Sequence, residues 1–488
     1  MAPHARDTSS PPRLPSTPML LVVALFLGGC ATRAAKVLSP AAAELEGGLR
    51  RTEAAAGTTQ PVFVTGFAAA DDRLVHRVRT PGGLYELALR YRAGQPKLYV
   101  LQLNGEPSEG YFMPSGPDGD LHVHGLVELP PGESVLSVGG GWGHYDVGEV
   151  VLRPVSRPPP PSLPAYAPAD PLATAEAREL LRFLQRHYGR VTFTGVYSTD
   201  DIDHVRQRSG HTPAALGGDL MDYSPSRVER GADARGETER LIAAARRGHL
   251  ITVSWHWNAP RGLLDRVDVD DTGREVNKRW YKGFYTNATT FDLAAAVADP
   301  ESEDYALLLR DIDAIAVELR KFADARVPVL WRPLHEAEGG WFWWGAKGPE
   351  PYVRLWRLLY DRLTRHHGLH NLLWVYTAGP DPSWYPGDDV VDVVGADLYP
   401  ADIRDTTTWG WSTLHRQYGR RKLIALTEVG FVPDVDRMHR LGIRWAYYTT
   451  WTQQLGPRRH TDAELRSRLT ESRFARGLPP RGPAPPLP

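Results

Sequence analysis

"DYALLLRDIDAIAVELRKFADARVPVLWRPLHE", residues 304–336, changes its hydrophobic period once, and that change decides the fold. Through 325 the apolar residues recur every three or four positions, as in a helix that covers a core with one face. From 327 the chain turns to a short unbroken apolar run, "VPVLWRP", which reads as a strand buried on both sides. The run then stops on His335 and Glu336. A second helical stretch, "PYVRLWRLLYDRLTRHH" (351–367), follows. A buried strand between two amphipathic helices is the repeating unit of a parallel sheet wrapped by helices.

The unit recurs along the chain. Strand candidates are "VTFTGVY" (191–197), "AALGGDLMD" (214–222), "LITVSWHW" (250–257), "VPVLWRPLHE" (327–336), "NLLWVYTA" (371–378), "VVDVVGADLYP" (390–400), "KLIALTEVG" (422–430) and "IRWAYYTTW" (443–451). Eight parallel strands in a domain of this length predict a closed (β/α)8 TIM barrel rather than an open sheet. In that architecture chemistry belongs at the C-terminal strand ends.

Upstream the pattern differs. Short strand-like runs, "PVFVTGFA" (61–68), "LYELALRYRA" (84–93), "KLYVLQLNG" (97–105), "LHVHGLVELP" (121–130), "SVLSVGG" (134–140) and "VGEVVLRP" (147–154), are separated by Gly, Pro and Asn. With no amphipathic stretch of helix length between them, they predict a small antiparallel β-sandwich. "RPVSRPPPPSLPAYAPADP" (153–171) then reads as a semi-rigid spacer. The expected organisation is a signal over 1–30, a spacer over 31–58, the sandwich over 59–154, a Pro-rich linker over 155–171, the barrel over 172–475 and a disordered tail over 476–488.

Lysine and arginine total 57 against 58 acids, a net charge of −1, so no basic field exists to hold nucleic acid or an anionic membrane surface. The expected partner is uncharged. Fifteen tryptophans suit a binder of sugar rings, whose apolar faces stack on indoles. "MLLVVALFLGG" (19–29) is too short to span a bilayer but suits an export signal, and it leads into Cys30, the only cysteine. "LGGC" (27–30) resembles the bacterial lipobox, in which the cysteine carries lipid. That resemblance implies a cell-envelope lipoprotein, at the outer membrane and tethered through Cys30. A solitary cysteine forms no internal disulfide, which agrees with an anchoring role.

The barrel strand ends carry Asp222, His256 and Trp257, His335 and Glu336, Tyr399, Glu428 and Trp451. Glu336 ends the fourth strand and Glu428 the seventh, which sets them across the mouth from one another. Two carboxyl groups facing one bond are what glycoside hydrolysis requires: one protonates the departing oxygen, the other attacks or activates water. Nearby aromatic rings serve as sugar platforms and as low-dielectric walls that raise the acid's pKa.

"LITVSWHWNAP" (250–260), "WRPLHEAEGGWFWWG" (331–345), "LLWVYTAGPDPSWYPGDDVVDVVGADLYP" (372–400) and "IALTEVG" (424–430) together resemble glycoside hydrolase family 26, best known for β-mannanases, over roughly 190–455. The resemblance implies that Glu336 is the general acid/base and Glu428 the nucleophile of a retaining mechanism. It further implies that His335 hydrogen-bonds on the nucleophile's side, that His256 and Tyr399 line the sugar nearest the cut, that Trp451 is its platform, and that Trp341 flanks the leaving group. A retaining pair stands about 5–5.5 Å apart. Glu336 must start protonated, so burial against Trp341 and the charge of Glu428 should raise its pKa. The implied product is a cut β-1,4-mannan, glucomannan or galactomannan chain, made by a monomer with no cofactor.

Other readings stand beside these. Another β-glycan, such as β-1,3-xylan or mixed-linkage β-glucan, fits the same chemistry, and a non-catalytic glycan-binding lipoprotein is a third reading. "HEAEG" (335–339) lacks the second histidine of a zinc helix, so no metal is expected. Glu338 reads equally as loop surface or subsite contact, Trp343 and Trp344 as packing or platforms, and Asp222 and Asp397 as structural supports. Thr452 stands where some family members use arginine. The N-terminal domain resembles carbohydrate-binding modules through "LQLNG" (101–105) and "GGGWGHYDVGEVVL" (139–152), with Trp142 and Tyr145 as candidate platforms. Gly148 replaces an acid often found there.

Overall fold

The computed structural model describes residues 34–52, 61–270, 272–469 and 474–475. Cys30, its apolar approach and the tail 476–488 lie outside the described residues, among which no helix is long and apolar enough to cross a membrane.

The N-terminal region is a nine-stranded antiparallel sheet: β1 (Lys36–Leu38), β2 (Glu44–Glu46), β3 (Arg50–Arg51), β4 (Val64–Thr65), β5 (Arg73–Arg92), β6 (Lys97–Leu103), β7 (Glu106–Phe112), β8 (Asp120–Gly139) and β9 (Asp146–Val155). Its order is β3-β4-β9-β5-β8-β6-β7, with β1 on β9 and β2 on β5. Alternate residues, among them Leu87, Leu89, Tyr99, Leu136 and Val150, enclose a core distinct from that of the barrel.

Two features depart from expectation. Strands β1 to β3 lie inside the stretch read as a spacer, and the runs 121–130 and 134–140 belong to one strand, β8. Pro81 pairs opposite Pro131, while Gly82, Gly83 and Gly132 take positive φ. These turn-type residues kink two paired strands without ending either one.

Beyond an extended segment come β10 (Thr192–Phe193), β11 (Gly195–Val196), β12 (Ala215–Asp219), β13 (Leu250–Trp255), the hairpin β14 (Arg266–Val269) and β15 (Glu275–Lys278), then β16 (Val329–Pro333), β17 (Leu372–Thr377), β18 (Val393–Leu398), β19 (Leu423–Val429) and β20 (Tyr448–Thr450). Strand β21 (Phe474–Ala475) pairs with β10. Strands β11, β12, β13, β16, β17, β18, β19 and β20 close into a parallel barrel, each inside one of the eight predicted runs.

The helix preceding β16 shows how sequence makes the outer layer. It spans Glu303–Asp324, is capped by Ser302 Oγ accepting from Tyr305 N at 3.1 Å, and starts with Glu303 and Asp304, whose charges suit a helix N-terminus. Ile312, Ile315, Leu319 and Phe322 form its buried stripe.

Candidate active site

Both glutamates reach the barrel mouth through irregular backbone. Past the end of β16, Leu334 and Glu336 adopt φ of 51° and 54°. This region is sparsely populated by non-glycine residues and persists only where the surroundings hold it. Here Trp344 Nε1 donates to His335 O at 2.8 Å, and Gly339 N donates to Glu336 O at 3.1 Å. On the opposite side Ala396 pairs with Leu426 but Asp397 with Glu428, leaving Thr427 as a bulge. Its Oγ1 donates to Asp397 Oδ1 at 2.6 Å, and such a bulge re-aims the side chains that follow.

Glu336, Asp397 and Glu428 each place a carboxylate oxygen within 4.8 Å of the others. Glu336 and Glu428 therefore face one small volume. The balancing charge is Arg332, on β16, with a fully buried side chain. Its guanidinium donates to Asp397 Oδ2 at 2.7 Å, to Tyr197 Oη at 3.1 Å, and to Glu428 Oε1. Tyr399 Oη donates to Glu428 Oε2 at 2.5 Å. Two of the three carboxylates that could bind a cation, Asp397 and Glu428, are thus already paired with a resident guanidinium.

Burial pushes the Glu336 carboxyl up to about 8, helped by the charges of Asp397 and Glu428, against one opposing hydrogen bond from Trp341 Nε1 at 2.9 Å. Burial also lifts Glu428, to about 7, but Arg332 and the Tyr399 hydroxyl both favour its ionised form. The proton of the pair therefore resides on Glu336.

His256, at the end of β13, pairs through Nδ1 with Asp219 at the end of β12, and its backbone N–H donates to Asp219 Oδ1 at 3.1 Å. His256 Nε2 lies 3.1 Å from Nε2 of His335. Burial and then Arg332 hold the His335 pKa well below the ordinary value, so this ring is neutral. His335 thus pairs with His256, while the partners of Glu428 are Arg332 and Tyr399. Trp451 is half-buried beside Tyr197 and His256, at centroid distances of 4.7 and 5.8 Å. Trp341 is 48 % exposed, its ring lying against Gly339. The insertion after β13 clamps this loop: Thr286 N donates to Trp341 O and Thr286 Oγ1 to Gly340 O, each at 2.8 Å.

Other candidates fall elsewhere. Asp222 pairs with Arg227 at 2.8 Å, and Asp219 takes the strand-end place it was expected to hold. Trp343 and Trp344 are buried, donating to Trp257 O at 2.6 Å and His335 O at 2.8 Å, and so pack the loop. Glu338 accepts from Asp381 N at 3.0 Å and ties two loops together. In the N-terminal domain Trp142 is exposed, whereas Tyr145 is buried and stacked on Phe67 at 4.7 Å. Sequence reading missed Arg332, Asp219 and Tyr197. The signal for Arg332 was present: a lone cation inside "VPVLWRP" must find anionic partners once that strand is buried.

Residues 169–470 match the family described as Glycosyl hydrolase family 26. A mannan endo-1,4-beta-mannosidase of Thermothelomyces thermophilus is 42% identical over 405 residues, 81% of this chain and 80% of the relative. A Podospora anserina GH26-CBM35 beta-(1,4)-mannanase crystal structure superimposes with a TM-score of 0.62 at 37% identity, covering 90% of this chain and 97% of that one. The beta-mannanase from a symbiotic protist of the termite Reticulitermes speratus, complexed with gluco-manno-oligosaccharide, gives 0.55 at 28% identity, covering 64% and 96%.

Proposed function

The chain belongs to glycosyl hydrolase family 26, and from that premise we propose that it cuts β-1,4-linked mannan chains internally, with retention, using Glu336 as acid/base and Glu428 as nucleophile. The observation that carries the mechanism is that an oxygen of each carboxylate comes within 4.8 Å of the other, which suits the short separation of a pair in which one member attacks the sugar directly. The mannan preference is supported by the relatives, above all the mannan endo-1,4-beta-mannosidase matched over 81% of the chain.

In the first step a Glu428 oxygen attacks the anomeric carbon while Glu336 passes its proton to the departing glycosidic oxygen. Arg332 and Tyr399 keep Glu428 ionised for this attack. Esterification removes the charge on Glu428. Since that charge is one of the causes raising Glu336, its loss makes Glu336 a stronger acid and leaves it ionised. Glu336 then takes a proton from the water that releases the sugar from Glu428. Trp341 and Trp451 are the platforms on the leaving-group and glycone sides.

Reducing ends released from β-mannan, glucomannan, β-xylan and β-glucan test the substrate. Mannans should be cleaved and the Glu428→Ala variant should be inactive on all; equal cleavage of xylan or glucan by the unaltered protein would overturn the preference. The same reading includes export and lipid attachment at Cys30, supported by the apolar run before that cysteine. Labelled fatty acid should enter the protein and be absent from Cys30→Ala. The N-terminal domain is read as a glycan-binding module with Trp142 as its platform, supported by that ring's exposure. Retention on insoluble mannan should fall in Trp142→Ala.

A further inference from the structure

The loop that carries Tyr399 is held on both sides of one peptide residue, and one of the two holds comes from the other domain. Ala401, two residues after Tyr399, donates its N–H to Glu109 Oε1 on β7 at 2.8 Å, while its carbonyl accepts from Arg459 at 2.8 Å. The contact is reciprocated: Asp405, buried at the end of the same loop, accepts Glu109 N–H at 2.7 Å and Thr407 N–H at 2.5 Å. Thr407 sits at φ 55°, a strained conformation for a β-branched residue that needs such an anchor. Beyond it the helix Thr408–Tyr418 packs directly on β8, where a Cβ at Gly125 would collide with Thr408 and Ser412, and Trp409 meets Tyr111 of β7 at 4.9 Å. Residues Asp405 to Trp409 are all buried beneath the N-terminal sheet.

We propose that Glu109 of the N-terminal domain is a positioning residue for catalysis, fixing the loop that aims the Tyr399 hydroxyl at Glu428. The N-terminal domain thereby contributes to bond cleavage itself, on substrates too short for polysaccharide capture to matter. This rests on the reading of Glu428 as nucleophile. A hydroxyl held 2.5 Å from a carboxylate oxygen loses most of its value if the loop bearing it drifts.

The test uses the full chain and a soluble manno-oligosaccharide. Glu109→Ala should lower kcat about 5- to 10-fold with KM changed by less than about twofold, and should move the acid limb of the pH profile upward. Glu109→Gln, whose amide oxygen still accepts the Ala401 N–H, should restore kcat to within about twofold of the unaltered protein. If Glu109 acts through Tyr399, adding Glu109→Ala to Tyr399→Phe should cost nothing further. Full kcat in Glu109→Ala, or losses that add in the double variant, would overturn the proposal. Where Glu109→Ala does not fold by circular dichroism, Glu109→Asp, one methylene too short to reach Ala401, carries the same readings. Glu428→Ala, run alongside, separates the two assignments: residual turnover there defeats the nucleophile reading, whereas its inactivity with an unaffected Glu109→Ala defeats only the present one.

Discussion

Replacing Glu336 by alanine removes the acid from the first step and the base from the second, and the two losses are separable. The leaving group from mannan is a sugar hydroxyl, which departs only with a proton. Positioned general acids contribute about 10²–10⁴-fold, so mannan hydrolysis near pH 6 should fall by about 10³-fold. From a dinitrophenyl β-mannobioside the dinitrophenolate leaves as a stable anion that needs no proton, so the first step should remain within about tenfold of normal. The second step still lacks its base. The covalent intermediate should therefore accumulate after a burst, and azide should restore turnover by attacking without general base help. The pH profile gives an independent reading. Burial holds the Glu336 proton up to about 8, so kcat/KM of the unaltered protein should decline as pH rises through that value. The variant should lack that decline. The reasoning is refuted if both substrates suffer equally, or if the basic limb survives without Glu336.

Two further outcomes follow from the geometry. A Cβ at Gly339 would collide with the six-membered ring of half-exposed Trp341 and push it off its hydrogen bond to Glu336. Gly339→Ala should thus leave the thermal midpoint nearly unchanged while lowering kcat/KM on mannan about tenfold through loss of the platform. Stability should also depend on pH in a set direction. Burial raises Glu336 to about 8 and Glu428, Glu338 and Asp405 to about 7, so the folded chain keeps protons that the unfolded chain has released. That stabilisation is complete below the unfolded values of 4.5 and 3.8 and disappears as pH rises through 7 to 8. Burial acts the opposite way on His76 and His460, lowered to about 4, and their contribution is complete above 6.5. From about pH 6.5 to 8.5 only the carboxyl loss remains, so melting temperature should fall, and fall less in Asp405→Asn.

The barrel was legible because each strand is a short apolar run whose burial on both faces removes any need for polar alternation, as in "KLIALTEVG" (422–430). Glu428 stood out because it interrupts such a run near its C-terminal end, and Glu336 because it closes one. What pairs with an interrupting charge is a long-range fact. Arg332 lies 96 residues from Glu428, and no local period connects them. Asp219 was passed over for Asp222 because strand length sets the end of a run, and β12 stops three residues earlier than its apolar neighbours imply. In the N-terminal sheet, Pro131 and Gly132 carry turn chemistry but sit opposite Pro81 and Thr80, so the pairing itself overrides the local signal. Tyr145 resembled a platform in a loop of glycines, yet its contact with Phe67 places it inside.

The stereochemistry of the first product tests the paired carboxylates most directly. Proton NMR of a manno-oligosaccharide digested by the full chain, followed before mutarotation sets in, should show the β-anomer at the new reducing end, because a nucleophile this close to the acid inverts the centre twice. Initial release of the α-anomer would mean that water attacks directly, and the roles given to Glu336 and Glu428 would not stand.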